Sequence, residues 1–526
     1  MHNRRGERAK FLVLGAVSLS VGAVSVSALA GTVGAEYVTT KTPYQPRQAI
    51  ASYEAVPKGF VPMHTQIVAR HGSRGLTSMK DELALLNLWK LARSENALTP
   101  LGERLGPDLE RLIEINALLG YGVPGISKPG YGNLSRIGIE EHQQLAKRMV
   151  QRLPALFQRL GTDPDSSGAS IRVQHSGVDR ARDSAGAFVD AMVASVPAIA
   201  PRLVYPVVDG YPDSAPVAQA PGVNRFLLYF HRLNARNDAV TRETDPLSPI
   251  YTQSQIYQTY AKGQRVEEKV TAARSTIGLS QAAITTLQRL FSKSFVEQLA
   301  SGSIQVANTG EFNFTSGDGK FTNRLVGDGK VTIKSPLQAL LALSSVYEIA
   351  PGLKRELGFG LQQYLPPVAA RLLSEANDAE DFYTKGPGIA EDQPVTYAMA
   401  AALLQDFFVQ IDNTTAGPQG RGASLRFTHA EILVPFASIL RIKNMSTPLP
   451  WAANFSYGTS AWRGQDVAPY AANVQWDTFS DAKGTRIVRM LYNEKETDFQ
   501  SMCDSARLRP KSYFYRFEKL KACYGF

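Results

Sequence analysis

Two stretches of the chain pass from a β-favouring run to a polar cluster within one residue. Thr65-Gln66-Ile67-Val68-Ala69 gives way to Arg70-His71-Gly72-Ser73-Arg74, and Phe427-Thr428 gives way to His429-Ala430-Glu431 before apolar character returns at Ile432-Leu433-Val434. Each reads as a short strand ending in a loop. Between them the apolar positions recur mainly at helical spacing, most clearly from Leu337 to Ile349 and from Tyr397 to Val409. Leu98-Thr99-Pro100-Leu101-Gly102-Glu103 carries the signature of a Thr-capped helix start with Pro in the first turn, and Asn133-Leu134-Ser135 that of a second capped start. The stretch up to Lys58 holds Pro43, Pro46 and Pro57 with little periodicity, which predicts an extended arm. The chain therefore divides into a leader at 1–30, an arm at 31–58, strand, loop and helices at 59–195, a mainly α-helical insert at 196–405, and a second core part at 406–526. The expected class is α/β, interrupted by the helical insert.

Within the insert, Gly317-Asp318-Gly319-Lys320 recurs as Gly327-Asp328-Gly329-Lys330. The repeat predicts two Asp-Gly turns around a small β hairpin. The ligand spacing of a calcium-binding loop is absent. Lys320, Arg324 and Lys330 would be available there to distal anionic groups of a ligand, although exposed turn lysines usually contact nothing specific.

At the N-terminus, Arg4, Arg5, Arg8 and Lys10 precede an apolar Ala/Val/Leu/Ser/Gly stretch from Phe11 to Ala30 that ends in Ala28-Leu29-Ala30. Basic head, apolar middle and small-residue end predict a cleaved secretory leader. An uncleaved membrane anchor is the alternative, disfavoured by the many Ser and Gly residues. No later run has the length and apolarity of a bilayer span.

With 526 residues and 44% hydrophobic content the chain can bury a large core. Its formal charge is +10, and the leader holds four basic residues and one acidic one, leaving +7 for the remainder. That balance favours an anionic small-molecule partner. Nucleic acid is not expected, because the basic residues are dispersed and no binding motif is recognisable. The only cysteines, Cys503 and Cys523, could close a loop in an oxidising compartment or remain free thiols. His2, His64, His142, His175 and His231 form no cluster with Cys or carboxylates at metal-ligand spacing, so neither metal nor cofactor is expected. A Gly-x-Ser-x-Gly elbow is absent as well. His175 reads either as a pocket-lining residue or as an ordinary strand end.

Arg70-His71-Gly72-Ser73-Arg74 sets an imidazole between two guanidiniums. A phosphoryl group needs its non-bridging oxygens held by forked, permanently charged donors, which Arg supplies and Lys does not. A neutral imidazole nitrogen can then attack phosphorus. An isolated Arg-His-Gly is more often a solvated basic turn, so the second cluster matters.

Together the two clusters resemble the histidine phosphatase superfamily, in its acid phosphatase and phytase branch. Arg70, His71, Gly72 and Arg74 match the Arg-His-Gly-x-Arg motif, and His429-Ala430-Glu431 is the form typical of multiple inositol-polyphosphate phosphatases. Ser176-Gly177-Val178-Asp179-Arg180 resembles the family's Ser-x-x-x-Arg segment. Many relatives have Pro two residues after the second Arg, where this chain has Gly75-Leu76. The resemblance implies an α/β core with a largely helical inserted cap. It makes His71 the nucleophile, Arg70, Arg74, Arg180 and His429 the phosphate ligands, and Glu431 the general acid. For that last role the Glu431 carboxyl has to be protonated part of the time at working pH, which a dianionic substrate nearby would favour by like-charge repulsion. The expected activity is that of an exported, secreted or periplasmic phosphomonoesterase acting on inositol polyphosphates such as phytate. A broad acid phosphatase for sugar phosphates or phosphoglycerates is the nearest alternative, and an inactive phosphosugar-binding protein the non-enzymatic one.

Overall fold

The first strand, β1 (Val61–Arg70), alternates its side chains between two cores: Val68 faces one, Ile67 and Ala69 the other. A strand covered on both faces needs no polar break, so Ile67, Val68 and Ala69 follow one another directly. The computed structural model describes residues 37–162, 169–205, 224–236, 238, 242–414 and 420–526, and the leader expected over 1–30 lies outside them.

In chain order the remaining strands are β2 (Ser170–His175), β3 (Leu203–Val204), β4 (Val306–Thr315), β5 (Thr322–Ile333), β6 (Arg421–Thr428), β7 (Asn473–Ser480), β8 (Arg486–Tyr492), β9 (Lys495–Thr497) and β10 (Phe514–Arg516). Strands β4 and β5 form a separate hairpin. The other eight make one sheet in the order β10-β8-β7-β1-β6-β2-β3, with β9 beside β8. The pairs β1/β6, β6/β2 and β2/β3 are parallel, while β7, β8 and β10 add an antiparallel half.

The first five helices are α1 (Lys80–Ser94), α2 (Gly102–Leu118), α3 (Arg136–Arg152), α4 (Pro154–Thr162) and α5 (Asp179–Ser195). Helices α3, α4 and α5 cover one sheet face with Leu145, Met149, Phe157, Phe188 and Met192. The opposite face takes Phe407, Phe408, Leu433 and Phe436 from helices Ala401–Asp412 and Ala430–Ile439, against Val68, Val474 and Trp476. Helix α3 is also tied to the antiparallel half by buried charge. Arg152 Nε lies 2.9 Å from Asp477, which Arg489 meets at 3.1 Å, and Arg148 meets Glu494 at 2.7 Å.

A third core joins α1 and α2, through Leu85, Leu88, Leu105 and Leu109, to helices Leu279–Leu287, Pro336–Ile349 and Pro367–Thr384. Two helices of the 59–195 segment thus pack with the insert rather than on the sheet, whose face there is filled by α3 to α5. Periodicity marks an apolar stripe but not its partner.

The capped starts appear as expected. Thr99 Oγ1 accepts from Gly102 N–H at 3.0 Å and Ser135 Oγ from Gly138 N–H at 3.2 Å, although regular helix begins only at Gly102 in the first case. The two helical runs correspond to helix Pro336–Ile349 and to helix Ala401–Asp412 with a preceding 3₁₀ turn. The hairpin differs in one respect. The first Gly-Asp-Gly-Lys forms the β4–β5 turn, but the second lies inside β5, with Gly327 and Asp328 paired to Gly310 and Thr309 beside a register irregularity. A Cβ on Gly327 would stand 2.1 Å from the Asn308 carbonyl, so this glycine serves a close strand approach rather than a turn.

Cys503 and Cys523 are joined in a disulfide that ties the helix Phe517–Cys523 to the turn Ser501–Ala506. Replacing both by Ser should lower the unfolding free energy by about 3 kcal/mol on the loop-entropy model. Urea unfolding monitored by tryptophan fluorescence checks this, and an unchanged midpoint would refute it.

Candidate active site

Register decides which residues meet. Arg70 pairs with Thr428 across β1/β6, and His175 with Phe427 across β2/β6. The next residues, His71, His429 and Ser176, therefore leave three adjacent parallel strands at one level, on the carboxyl edge where open α/β sheets bind ligands. His71 N–H donates to the Thr428 carbonyl at 2.8 Å, and Ser176 N–H to Phe427 at 3.1 Å. The rings of His71 and His429 come within 5.4 Å, centroid to centroid.

The hydrogen bonds fix both tautomers. His71 Nδ1 lies 2.9 Å from the Gly72 carbonyl, which can only accept, so Nδ1 carries the proton and Nε2 keeps a lone pair. Arg180 Nη2, which can only donate, approaches His429 Nδ1 at 3.4 Å, and His429 Nε2–H donates to Ser176 Oγ at 2.8 Å. Both imidazoles are held well below their ordinary pKa by burial first and then by Arg180, with Arg70 adding to the effect.

Three guanidiniums surround the pair. Arg70 Nη1 donates to the carbonyls of Thr40 and, at 2.6 Å, of Ala468, and its plane lies 4.6 Å from the Tyr470 ring. Arg74 Nη1 donates to the Gly75 carbonyl at 2.6 Å. Arg180 stands in the first turn of α5, beyond Gly177, whose φ of +88° sharpens the turn. The Nε–H groups of all three arginines are buried without a partner.

Arg70 and Arg74 line a cavity of about 400 Å³ with Glu431, and the insert supplies Arg274 and Lys385 from the far wall. Glu431 sits in the first turn of its helix, where the dipole favours a carboxylate, with Lys385 Nζ 3.9 Å away and about a third of its side chain exposed (36%). Burial raises its pKa, but Lys385, His231 and His429 outweigh that and hold the carboxyl well below the usual range. In the free site it is a carboxylate. Lys385 comes from a distant segment, so its pull on Glu431 could not be read from the motif.

The structure brings together His71, His429, Glu431, Arg70, Arg74 and Arg180. Sequence reasoning missed His231, whose ring lies 6.1 Å from that of His429, and Tyr470, 6.0 Å from His71. Neither lies in a recognisable motif. It also missed the arm, which reaches the cavity through Thr39, Thr40 and Lys41, the last paired with buried Glu348. His175 shapes the turn before α5, its Nδ1 accepting from Gly177 N–H at 3.1 Å. Lys320, Arg324 and Lys330 do not line the cavity, and Arg324 is paired with Glu311.

A partly parallel α/β sheet carrying a neutral histidine among three arginines at its carboxyl edge defines a phosphoryl-handling enzyme. The model of the histidine phosphatase superfamily (branch 2) matches residues 63–493, and the chain belongs to that family, that of the histidine acid phosphatases. Among solved structures it is similar to the multiple inositol polyphosphate phosphatase of Bifidobacterium longum. The complex of that protein with inositol hexasulfate has 29% identity and a TM-score of 0.75, covering 93% of this chain and 97% of that one. Its apo form gives a TM-score of 0.76 at the same identity and coverage. The phytase from D. castellii shares the fold at a TM-score of 0.56 and 12% identity, over 93% of this chain and 84% of that one. A search of curated proteins returned no match to the sequence.

Because burial and the neighbouring guanidiniums lower the His71 pKa, the ring is expected to stay neutral below the ordinary histidine range. A histidine at about 6.5 would instead lose about 25-fold of its neutral form between pH 7 and pH 5. The His71 ring-proton NMR resonance, assigned by its loss in His71→Ala, should show no imidazolium forming between pH 7 and pH 5; a titration shift over that range would contradict the buried, neutral ring.

Proposed function

We propose that the protein is an exported phosphomonoesterase that hydrolyses inositol polyphosphates such as phytate through a phosphohistidine on His71. The observation that carries this reading is the convergence of Arg70, Arg74 and Arg180 on a histidine whose free nitrogen is Nε2. The likeness to the Bifidobacterium longum enzyme, whose complex holds inositol hexasulfate, supports the substrate class. The disulfide supports passage through an oxidising compartment.

In this mechanism the transferring phosphoryl group lies among the three guanidiniums, which neutralise its charge in the transition state. His71 Nε2 attacks phosphorus in line with the ester oxygen, forming the P–N bond as the P–O bond breaks. The departing inositol alkoxide is strongly basic and needs a proton, which the Glu431 carboxyl supplies. That carboxyl is ionised in the free site, so the substrate must protonate it. An arriving phosphate raises its pKa by like-charge repulsion, and a phosphate monoanion brings a proton of its own. In the second half Glu431, now ionised, takes a proton from water as the water attacks the phosphohistidine, releasing phosphate and restoring Nε2. His429, with Nδ1 facing Arg180, contributes to phosphate binding once that nitrogen is protonated.

His71→Ala should retain the fold and phosphate binding but lose turnover by several orders of magnitude, together with the acid-labile phosphoenzyme trapped by rapid quench. Normal turnover in this variant would end the phosphohistidine reading.

Glu431→Gln should distinguish leaving groups. A nitrophenolate departs nearly unaided and an inositol alkoxide does not, so the variant should lose phytate phosphorylation at least about 10-fold more than 4-nitrophenyl phosphate phosphorylation in single-turnover assays. Equal losses would assign the proton to another donor.

A further inference from the structure

Helix α3 holds the loop carrying His71 at several points. Its first turn abuts the loop so closely that a Cβ on Gly72 would stand 2.3 Å from the Gly138 carbonyl oxygen, and one on Gly138 2.1 Å from the Ser73 carbonyl oxygen. One turn further on, two consecutive residues reach the loop on either side of His71. His142 Nε2 approaches the Arg70 carbonyl at 3.1 Å. The Glu141 carboxylate accepts the Ser73 N–H at 2.7 Å on Oε2, and the Ser73 hydroxyl at 2.8 Å and the Tyr44 N–H at 2.7 Å on Oε1. The Ser73 carbonyl in turn accepts from Ser135 N–H at 2.9 Å, and Gly72 N–H donates to Ser184 Oγ at 3.1 Å.

A buried carboxylate so near an anion site calls for a reason. Glu141 is only 7% exposed, and burial pushes its carboxyl up to about 7, against the pull of the Tyr44 and Ser73 donors. It takes up the Ser73 amide, so that amide is spent on the helix and not on a phosphate oxygen. Ser73 is also the residue between Gly72 and Arg74, so whatever holds it sets how far His71 stands from the second guanidinium. Through Tyr44 the same carboxylate grips the arm whose Thr40 carbonyl holds Arg70. The helix beneath is anchored independently by Arg148 and Arg152.

We propose that Glu141 is a positioning residue for phosphoryl transfer, fixing His71 and Arg74 relative to each other through Ser73 and locking the arm behind Arg70 into the same unit. This rests on the phosphohistidine reading of the site. A displacement of about 1 Å at a reacting group is enough to cost about 100-fold in rate.

The test compares Glu141→Gln, Ser73→Ala and the double variant with the wild type. Single-turnover phosphorylation is measured with 4-nitrophenyl phosphate and phytate, alongside binding of myo-inositol hexasulfate and the thermal midpoint. Gln keeps the shape but replaces one acceptor oxygen by a donor. Glu141→Gln should lower the phosphorylation rate by about 100-fold for both substrates alike, with hexasulfate affinity little changed. Uniform loss separates positioning of His71 from a defect in the proton donor. Ser73→Ala, which removes only the hydroxyl, should lower the rate by less, and the double variant should be no slower than Glu141→Gln alone. A wild-type phosphorylation rate in Glu141→Gln overturns the proposal, as does a loss explained wholly by a lower melting point with the rate per folded molecule unchanged. If Glu141→Gln does not fold, an unchanged rate in Ser73→Ala overturns it. If the wild type itself forms no phosphoenzyme, the phosphohistidine reading fails and this inference falls with it; a phosphorylated wild type matched by the variant refutes this inference alone.

Discussion

The parallel pairing of β1 with β6, Arg70 opposite Thr428, is the constraint on which the site depends. A slip of one residue would turn every side chain of the strand to the other face, exchanging Val68 with Ile67 and Ala69 between two filled cores. Such a slip is opposed by the packing of the whole sheet. Because the register is fixed, His71 and His429 are brought ring to ring from opposite ends of the sequence, with β2 delivering Ser176 and the start of α5 beside them.

The electrostatics of the site are dominated by three guanidiniums. Arg70, Arg74 and Arg180 crowd two neutral imidazoles, and burial with mutual repulsion lowers the pKa of Arg70, and of Arg180 to about 10, without discharging either at neutral pH. Carbonyls take some of the guanidinium donors and the Tyr470 ring lies against Arg70, but the three Nε–H groups remain unmet. Buried charge of one sign is tolerated only where something compensates for lost hydration. The Glu431 carboxylate compensates in part, and a phosphate held among the guanidiniums would add to it while His71 keeps its lone pair.

The helical layer supplies charge to the site as well as covering the sheet. Lys385 reaches Glu431 from the far end of helix Pro367–Thr384 and holds it ionised, and Asp381 of that helix pairs with the same lysine at 2.8 Å. That helix also packs into both the sheet-facing core and the core of the helical layer. Any movement of the layer would therefore alter the charge on Glu431 as well as the width of the cleft.

Read alone, the sequence determined the residue types needed for phosphoryl chemistry and the local elements that carry them. Arg70-His71-Gly72-Ser73-Arg74 at a strand end, the Ser135 cap of α3 and the helix at Pro336–Ile349 are set by short-range periodicity and capping, which depend on neighbours a few residues away. The assignment of α1 and α2 to the helical layer, the entry of the arm into the cavity, and the ionised state of Glu431 were decided only by tertiary structure. Each depends on which apolar stripe found which partner, or on a charge brought from a distant segment, and neither leaves a periodic mark on the chain. The second Gly-Asp-Gly-Lys shows the same limit: its composition is that of a turn, but pairing with β4 and the close approach to Asn308 hold it within a strand.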